Sequence, residues 1–488
     1  MAFCATAAIG FLMPRLILDQ IGQQMLGVWD LSWSILVFVS ASSIGTGSAV
    51  SHFLARLRNA KVQGRQIFVT GLYLQGLLAC GIAISFWFAL TFLAEYFVSE
   101  FSSLQLADIS KITTTVCFTV VVAMLGEIAH SAFVGSHQSR RSEYINVSHD
   151  VTLALCMITS LSLGFGILGL ATATLIVRVL FELVRFAAAW SVLEHFSLNI
   201  TLFQPQLTRR LLRYSIKSSF YGVQELVVYQ TIRFSFFLIA GPVVFAAFSR
   251  YSTLARQINR LVDRLVISVP ALASDIVRHD EISQIRDVYR YGTQTNLMLT
   301  LPVLVIFAVF GDQLVKLWMG NAFVIPNLAI VFCAACLLHS QYAVSEKILR
   351  GANSHGKISL VCISTSSVCL LLLFLLDVSF TPYTAAASIG GIMLICVHIP
   401  VILFTWHRLQ MNAWRQLVDL YCRPFFANVL YFVALIQLPH IFANGRVVTG
   451  LLLLLLASAL LVYYYWFWVC DHRLRRRIKT AFPQFVTS

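Results

Sequence analysis

The amino-acid sequence predicts an all-α, polytopic membrane protein with about fourteen transmembrane helices. Hydrophobic residues make up 58% of its 488 residues and charged residues only 11%, whereas soluble proteins carry about 25% charged residues. Apolar runs of about 20 residues, the length of helix that crosses a bilayer, recur along the whole chain. The net charge of +14 lies in short segments between these runs, which is typical of a membrane protein and excludes a nucleic-acid-binding domain.

Fourteen apolar runs are interpreted as spans. They lie near residues 1–18, 27–50, 67–94, 112–134, 145–167, 168–190, 214–240, 243–269, 294–316, 324–346, 357–377, 382–406, 421–442 and 448–470. The first span is short, since Pro14 and Arg15 come early in the chain. It lacks a charged leading segment and a good cleavage site, so a removed signal peptide is not expected.

The distribution of loop charges predicts the orientation. Most basic residues fall in alternate loops, at Arg56, Arg58, Lys61, Arg65, Arg140, Arg141, Arg209, Arg210, Arg213, Lys217, Arg278, Arg286, Arg290, Lys347, Arg350, Lys357, Arg408, Arg415 and Arg423, and in the tail at Arg473, Arg475, Arg476, Arg477 and Lys479. The opposite loops are poor in basic residues and richer in acidic ones. By the positive-inside rule, both termini of this multi-pass inner-membrane protein face the cytoplasm.

A weak internal repeat predicts the domain organisation. The segment 27–32 resembles 245–252, and 133–140 resembles 349–357, with an offset of roughly 215–220 residues. This offset equals six spans, so the two copies keep the same orientation, as in transporters with parallel repeats. The prediction is an N-lobe at 1–190, a cytoplasmic linker at 191–213, a C-lobe at 214–406, two further spans at 407–470 and a basic tail at 471–488.

Residues 248–266 form the most informative stretch. At the helical period of about 100° per residue, its polar side chains share one half of the helix. That half includes four arginines, Arg250, Arg256, Arg260 and Arg264. A helix lying on the membrane surface would have the same pattern, but every later loop would then change side. We therefore favour a crossing helix, whose charged face requires a hydrated cavity or an anionic ligand. Gly241-Pro242 is predicted to form the tight turn before it.

These arginines suit an anionic ligand, because a guanidinium offers paired donors to anionic oxygens. The predicted substrate-binding residues are Arg233, Arg250, Arg256, Arg260 and Arg178. The alternative is internal pairing. For Arg178, four residues before Glu182, and for Arg264, beside Asp263, internal pairing and substrate contact are equally favoured.

Three carboxylates within spans, Asp30, Glu127 and Glu225, are candidates for ion or proton coupling. The alternative is that they form salt bridges with the arginines. Intramembrane His130, His339 and His398 could relay protons, or each could simply have a hydrogen-bond partner. No phosphate-binding loop or His-Glu-x-x-His motif occurs, and no catalytic residue, metal ligand or cofactor is predicted. The cysteines, including Cys333 and Cys336, are interpreted as small buried hydrophobic residues.

The segment 311–320, Gly-Asp-Gln-Leu-Val-Lys-Leu-Trp-Met-Gly, followed by Phe323, resembles a motif of Wzx-type polysaccharide flippases. These belong to the multidrug/oligosaccharidyl-lipid/polysaccharide (MOP) exporter superfamily. The segments 245–254 and 135–140 are similar to weaker signatures of that family. Met319 stands where the family usually has Leu, and the first span is shorter than usual in the family. The resemblance covers nearly the whole chain, although each motif is loose.

This resemblance implies two six-helix lobes in a MATE-like V around a cavity. It also implies that the protein flips an undecaprenyl-pyrophosphate-linked oligosaccharide for O-antigen, capsule or exopolysaccharide synthesis, and that the arginines named above bind the pyrophosphate. The last two spans would help to hold the lipid tail, as in lipid II flippases. Partners would be membrane lipids, a polysaccharide polymerase and chain-length proteins. Alternatives are a cation-coupled multidrug exporter of the same fold or a membrane enzyme of polysaccharide assembly. The predicted external loops are short for a polymerase.

Overall fold

The computed structural model describes residues 2–41, 45–56, 61–96, 103–136, 138–192, 202–266, 282–352, 356–376, 379–436 and 447–469, with a few single positions between them. Across these ranges the chain is helical and contains no strand, which confirms the all-α prediction. The chain forms two compact units, residues 1–246 and 247–488. The predicted lobe limits remain a prediction, and the basic tail at 471–488 lies outside the described residues.

The first unit contains helices α1 to α6 and the beginning of α7. Their bounds are α1 Ala2–Ala41, α2 Thr46–Arg56, α3 Lys61–Tyr96, α4 Ser103–Gly135, α5 Ser139–Ser162, α6 Gly166–Val192 and α7 Pro205–Leu265. Buried side chains of α2, α3, α4, α6 and α7 form one hydrophobic core, with Val50, Phe68, Ile128, Ala189 and Leu211 among its members.

The second unit contains the remainder of α7 and the later helices. These are α8 Ile282–Met319, α9 Leu328–Cys336, α10 His339–Gly351, α11 Gly356–Leu375, α12 Pro382–Ile392, α13 Ile399–Arg408, α14 Ala413–Gln416, α15 Arg423–Leu435 and α16 Val447–Tyr464. Widened π turns at Met393–His398, Leu417–Cys422 and Tyr465–Val469 interrupt or extend them. The predicted spans 13 and 14 correspond to α15 and α16, which share an apolar core with α8.

Helix α7 is interrupted by a sharp turn at Gly241. Gly241 has φ 77° and ψ 169°, a conformation that only glycine adopts readily. In a straight helix, Phe237 and Phe245 would be about 12 Å apart, yet their ring centroids lie 5.3 Å apart. The structure therefore has a sharp turn where the sequence predicts one. We call residues 205–240 the first limb and 242–265 the second limb.

Nine helices in the described part of the chain are long and apolar enough to cross a membrane. One of them, Val227–Leu265, contains the end of the first limb and the whole second limb of α7, and so corresponds to two predicted spans. The shorter apolar helix Leu452–Phe467 corresponds to the last predicted span. The polytopic class is thereby confirmed. Many large apolar side chains, such as Leu77, Leu317 and Leu455, are exposed, as is required of a surface that contacts lipid.

Candidate functional site

The second limb of α7 carries the predicted arginine face. Its apolar side is buried, with Phe248, Tyr251, Ala255, Ile258 and Val262 all less than 10% exposed. On the polar side, Arg256 is half-buried, and Arg260 and Arg264 are exposed. Arg256 and Arg260 are one helical turn apart, about 6 Å along the axis, so both lie on the same side of the helix. Arg256 Nη2 donates to Thr253 Oγ1 at 3.5 Å.

Arg250, at the beginning of this face, is only 1% exposed. Its guanidinium lies over the ring of Trp318, 5.6 Å from the centroid, in cation–π contact. Trp318 belongs to the segment 311–320 that carries the family resemblance. Arg250 therefore packs against that motif in this structure, and a direct contact between Arg250 and substrate remains a prediction.

The next residue, Tyr251, anchors the other end of the same segment. Its hydroxyl donates to Asp312 Oδ1 at 3.0 Å and accepts from the Ile325 amide at 3.1 Å. Asp312 Oδ2 accepts from the Asn327 amide at 2.8 Å. These bonds give the loop between α8 and α9 a fixed position against the second limb. The motif thus has a structural role that is independent of any substrate.

Arg233 lies in the first limb of α7 and is 1% exposed. Its guanidinium carbon lies 5.5 Å from the ring centroid of Tyr229 and 5.2 Å from that of Phe245. The fold-back at Gly241 creates this arrangement, because it brings Phe245 beside residues of the first limb. Arg233 is accordingly held between two aromatic rings, and its contact with substrate remains a prediction.

Arg178 belongs to a buried ionic cluster in the first unit. Its Nε lies 3.1 Å from Glu182 Oε1, the internal pairing that the sequence leaves open. Glu182 also accepts from Arg185 Nη1 at 2.6 and 2.7 Å, and Arg185 Nη2 donates to Asn146 Oδ1 at 2.8 Å. Arg185 was not singled out from the sequence, although its position three residues after Glu182 places the two on one helix face.

The three candidate carboxylates lie in different helices of the chain. Asp30 in α1 and Glu127 in α4 are half-buried, and Glu127 is one of the charges acting on Arg178. The side chain of Glu225 lies outside the described residues. Among the side chains that the structure describes, no group of three or more His, Cys, Asp or Glu is placed to hold a metal ion. The coupling roles of Asp30, Glu127 and Glu225 remain predictions.

The three intramembrane histidines have different surroundings. His130 Nδ1 is 2.6 Å from the hydroxyl of Ser142, so it has a simple hydrogen-bond partner. His339 and His398, by contrast, lie against each other with ring centroids 5.7 Å apart. They are 59 positions apart in the sequence, so only the fold brings them together.

A cavity of about 540 Å³ lies beside the beginning of α7. It is lined by Phe53, Gln206, Arg209, Arg210, Arg213 and Tyr214, and the ring of His52 stacks on Tyr214 at 4.5 Å. In the sequence, these arginines indicate only the orientation of the chain in the membrane. The sequence signal for this group of cations is the pattern Arg-Arg-x-x-Arg-Tyr, which follows Pro205 at the start of the helix. Arg209 and Arg213, four residues apart, share one face of this helix.

No protein-family model and no curated protein matches the chain. Solved structures do. A multidrug resistance MATE transporter of the MOP superfamily, in its inward-facing conformation, superposes with a TM-score of 0.63 at 16% identity, covering 84% of this chain and 94% of that one. A MATE structure in the straight conformation gives a TM-score of 0.59 with the same identity and coverage. The lipid II flippase MurJ, in an inward closed conformation, gives 0.65 at 12% identity, covering 95% of this chain and 98% of that chain.

These likenesses define a fold. The chain has the polytopic helical fold shared by MATE transporters and MurJ, which confirms the predicted fold class. At such low identities the likeness does not extend to a substrate.

Proposed function

We propose that this protein is a secondary transporter that flips an undecaprenyl-pyrophosphate-linked oligosaccharide across the bacterial inner membrane, for O-antigen, capsule or exopolysaccharide synthesis. The observation that carries the proposal is the arginine face of the second limb. Arg256 and Arg260 lie one turn apart on a helix whose opposite side is buried and apolar. Guanidinium groups on a membrane-spanning helix are costly unless they meet water or anions, and a pyrophosphate is a compact anion with the matching geometry.

Neutral polar side chains beside the arginines suit the rest of the headgroup. Thr253, Gln257 and Asn259 are half-buried on the same limb. Hydroxyl and amide groups exchange hydrogen bonds with sugar hydroxyls at little electrostatic cost. The limb thus offers cations for the pyrophosphate and neutral donors and acceptors for the glycan.

The extent of the fold likeness supports a lipid-linked cargo. MurJ, a lipid II flippase, covers 95% of this chain, whereas the MATE transporters cover 84%. The predicted spans 13 and 14 correspond to α15 and α16, in the segment after residue 406. Helices α15 and α16 in that segment expose apolar side chains, including Phe426, Val433, Leu455 and Leu460. Such a surface is suited to contact with a polyprenyl tail. In this proposal a polymerase and chain-length proteins act on the flipped product.

The proposal is tested by replacing Arg256 and Arg260 together with Gln in a cell that depends on the exported polymer. We expect polymer to be lost at normal protein level and lipid-linked oligosaccharide to accumulate on the cytoplasmic side. The matched control is Arg140→Gln, at an exposed arginine outside the limb, and it should leave polymer unchanged. A double Lys variant should restore part of the activity, since it retains the charge but not the paired donors. Unchanged polymer in the Gln variant would refute the assigned role.

A multidrug exporter is the second candidate, favoured by the likeness to multidrug resistance MATE transporters. Cationic drugs require a site dominated by Asp and Glu, and the second limb carries mainly Arg. Drug susceptibility of a deletion strain separates the two functions. We expect it to be unchanged, whereas increased susceptibility to cationic compounds would favour drug export.

A further inference from the structure

His339 and His398 form a buried pair in the second unit. They are 4% and 2% exposed, and the ring of Tyr342 lies 4.6 Å from that of His398. Neither ring nitrogen of His398 has a hydrogen-bond partner among the described residues. A buried imidazole without a partner is energetically costly. In a protein of this fold, such a group is a candidate for binding a proton during the transport cycle.

The local backbone around His398 is unusual. His398 ends the π turn Met393–His398, and α13 begins with Ile399 and Pro400. Proline has no amide hydrogen and disrupts regular helical hydrogen bonding, which is consistent with the widened turn just before it. Widened turns of this kind occur frequently at functional sites. Pro400 thus explains why the helix is irregular beside this histidine.

The charged groups near the pair come from two helices. Asp263 of the second limb lies with Oδ2 3.8 Å from His339 Nε2. Lys347 and Arg350, near the end of α10, also act electrostatically on Asp263. His339 is the basic side chain in ring contact with His398.

The other elements around the pair contribute uncharged groups. From α11, the thiol of Cys369 lies 3.4 Å from that of Cys396 in the π turn. From α8, Asn296 donates to the Ser340 carbonyl and Thr300 bonds to the Ser340 hydroxyl. Asp263 is therefore the carboxylate, among the described contacts of the pair, that can stabilise an imidazolium. Two protons on rings this close would repel each other, so the pair should hold one proton.

We propose that His339 and His398 form a one-proton site that controls, through Asp263, the affinity of the second limb for its anionic cargo. This inference rests on the proposed function. Asp263 follows Arg260 by three residues, so the two side chains share one helix face. A protonated pair holds Asp263 toward His339. An unprotonated pair leaves Asp263 to neutralise Arg260, which weakens the attraction for a pyrophosphate. Affinity for the anion therefore rises as the pH falls, and by linkage anion binding draws a proton onto the pair.

Binding of a short polyprenyl pyrophosphate to the purified full-length protein tests this linkage. Affinity at pH 6 and pH 8 would be compared for the wild type, His398→Gln, Asp263→Asn and the control His130→Gln. For the wild type and the control, we expect binding to be several-fold tighter at pH 6 than at pH 8. The corresponding change in His398→Gln should be smaller. Because the probe itself titrates, only that difference is interpreted. Asp263→Asn should bind tightly at both pH values. Equal pH dependence in the wild type and His398→Gln would overturn the proposal.

Proton uptake is measured separately, without any cargo. On acidification from pH 8 to pH 5.5, the wild type should take up about one proton more per chain than the His339→Gln/His398→Gln variant. A difference of zero or two protons would overturn the one-proton site. Absence of probe binding at any pH would overturn the cargo linkage and the proposed function, while this titration would still decide whether the pair binds a proton. The two failures are therefore distinguishable.

Discussion

Gly22 and Gly241 hold the same unusual backbone conformation, about 220 residues apart. Their angles are φ 81°, ψ 172° and φ 77°, ψ 169°. Each glycine interrupts a long helix, and the offset between them matches the internal repeat seen in the sequence. The two turns also meet, since Gln23 Nε2 donates to the Val243 carbonyl at 3.1 Å. This correspondence supports the predicted parallel repeat.

Gly22→Ala should destabilise the protein through its backbone alone. Nothing lies within 4 Å of a Cβ added at this position, but alanine is strained at these angles by about 1–3 kcal/mol. The thermal midpoint in detergent should fall. Gly81→Ala is the control, because Gly81 lies within α3 and its added Cβ also meets open space. If both variants melt alike, the turn at Gly22 does not have the described conformation.

Gly390 and Gly391 are neighbours in α12, so alanine substitutions at these two positions can be compared directly. A Cβ at Gly390 would lie 2.9 Å from Ala335 Cα, whereas one at Gly391 meets nothing within 4 Å. Gly390→Ala must therefore push α12 away from α9 and lower stability. Gly391→Ala should be neutral or stabilising by about 0.5–1 kcal/mol, as in other helices. Thermal unfolding checks both, and equal effects would contradict the packing of α9 on α12.

Tyr251→Phe should loosen the loop that joins α8 to α9. Loss of the hydroxyl leaves Asp312 Oδ1 without its tyrosine donor and the Ile325 amide without its acceptor, at a cost of about 1–3 kcal/mol. Faster protease cleavage and faster amide exchange in residues 320–327 would report the change. Tyr144→Phe serves as the control, since Tyr144 is exposed and Phe retains its ring under Arg140. Unaltered exchange in Tyr251→Phe would show that these bonds do not hold the loop.

Glu182→Gln should be strongly destabilising. It removes the charge that Arg178 and Arg185 share in the interior, and breaking a buried pair typically costs about 3–5 kcal/mol. Asp19→Asn breaks the exposed pair with Arg15, where the cost is at most about 1 kcal/mol. Unfolding midpoints measured side by side should separate the two. A small effect at Glu182 would mean that water reaches this cluster.

The sequence was informative wherever a local pattern determines structure. The period of 248–266 predicted a buried face with Tyr251 and Ile258, and Gly241-Pro242 predicted the fold-back. No local sequence pattern predicts contacts between segments that are far apart in the chain. The contacts of Arg250 with Trp318 and of His339 with His398 join residues of separate elements, and only the packing of these elements brings the residues together. For the same reason the periodicity assigned Arg250 to the open face, although the structure buries it over an aromatic ring.

The most direct test of the account uses purified protein in proteoliposomes with a fluorescent undecaprenyl-pyrophosphate-linked oligosaccharide. Its movement between leaflets is followed with a membrane-impermeant quencher, and uptake of a cationic dye is measured in the same vesicles. We predict that the wild type translocates the lipid-linked sugar and not the dye, and that Arg256→Gln/Arg260→Gln loses this translocation. Translocation of the dye without the lipid-linked sugar, or equal translocation of the sugar by the double variant, would contradict the account.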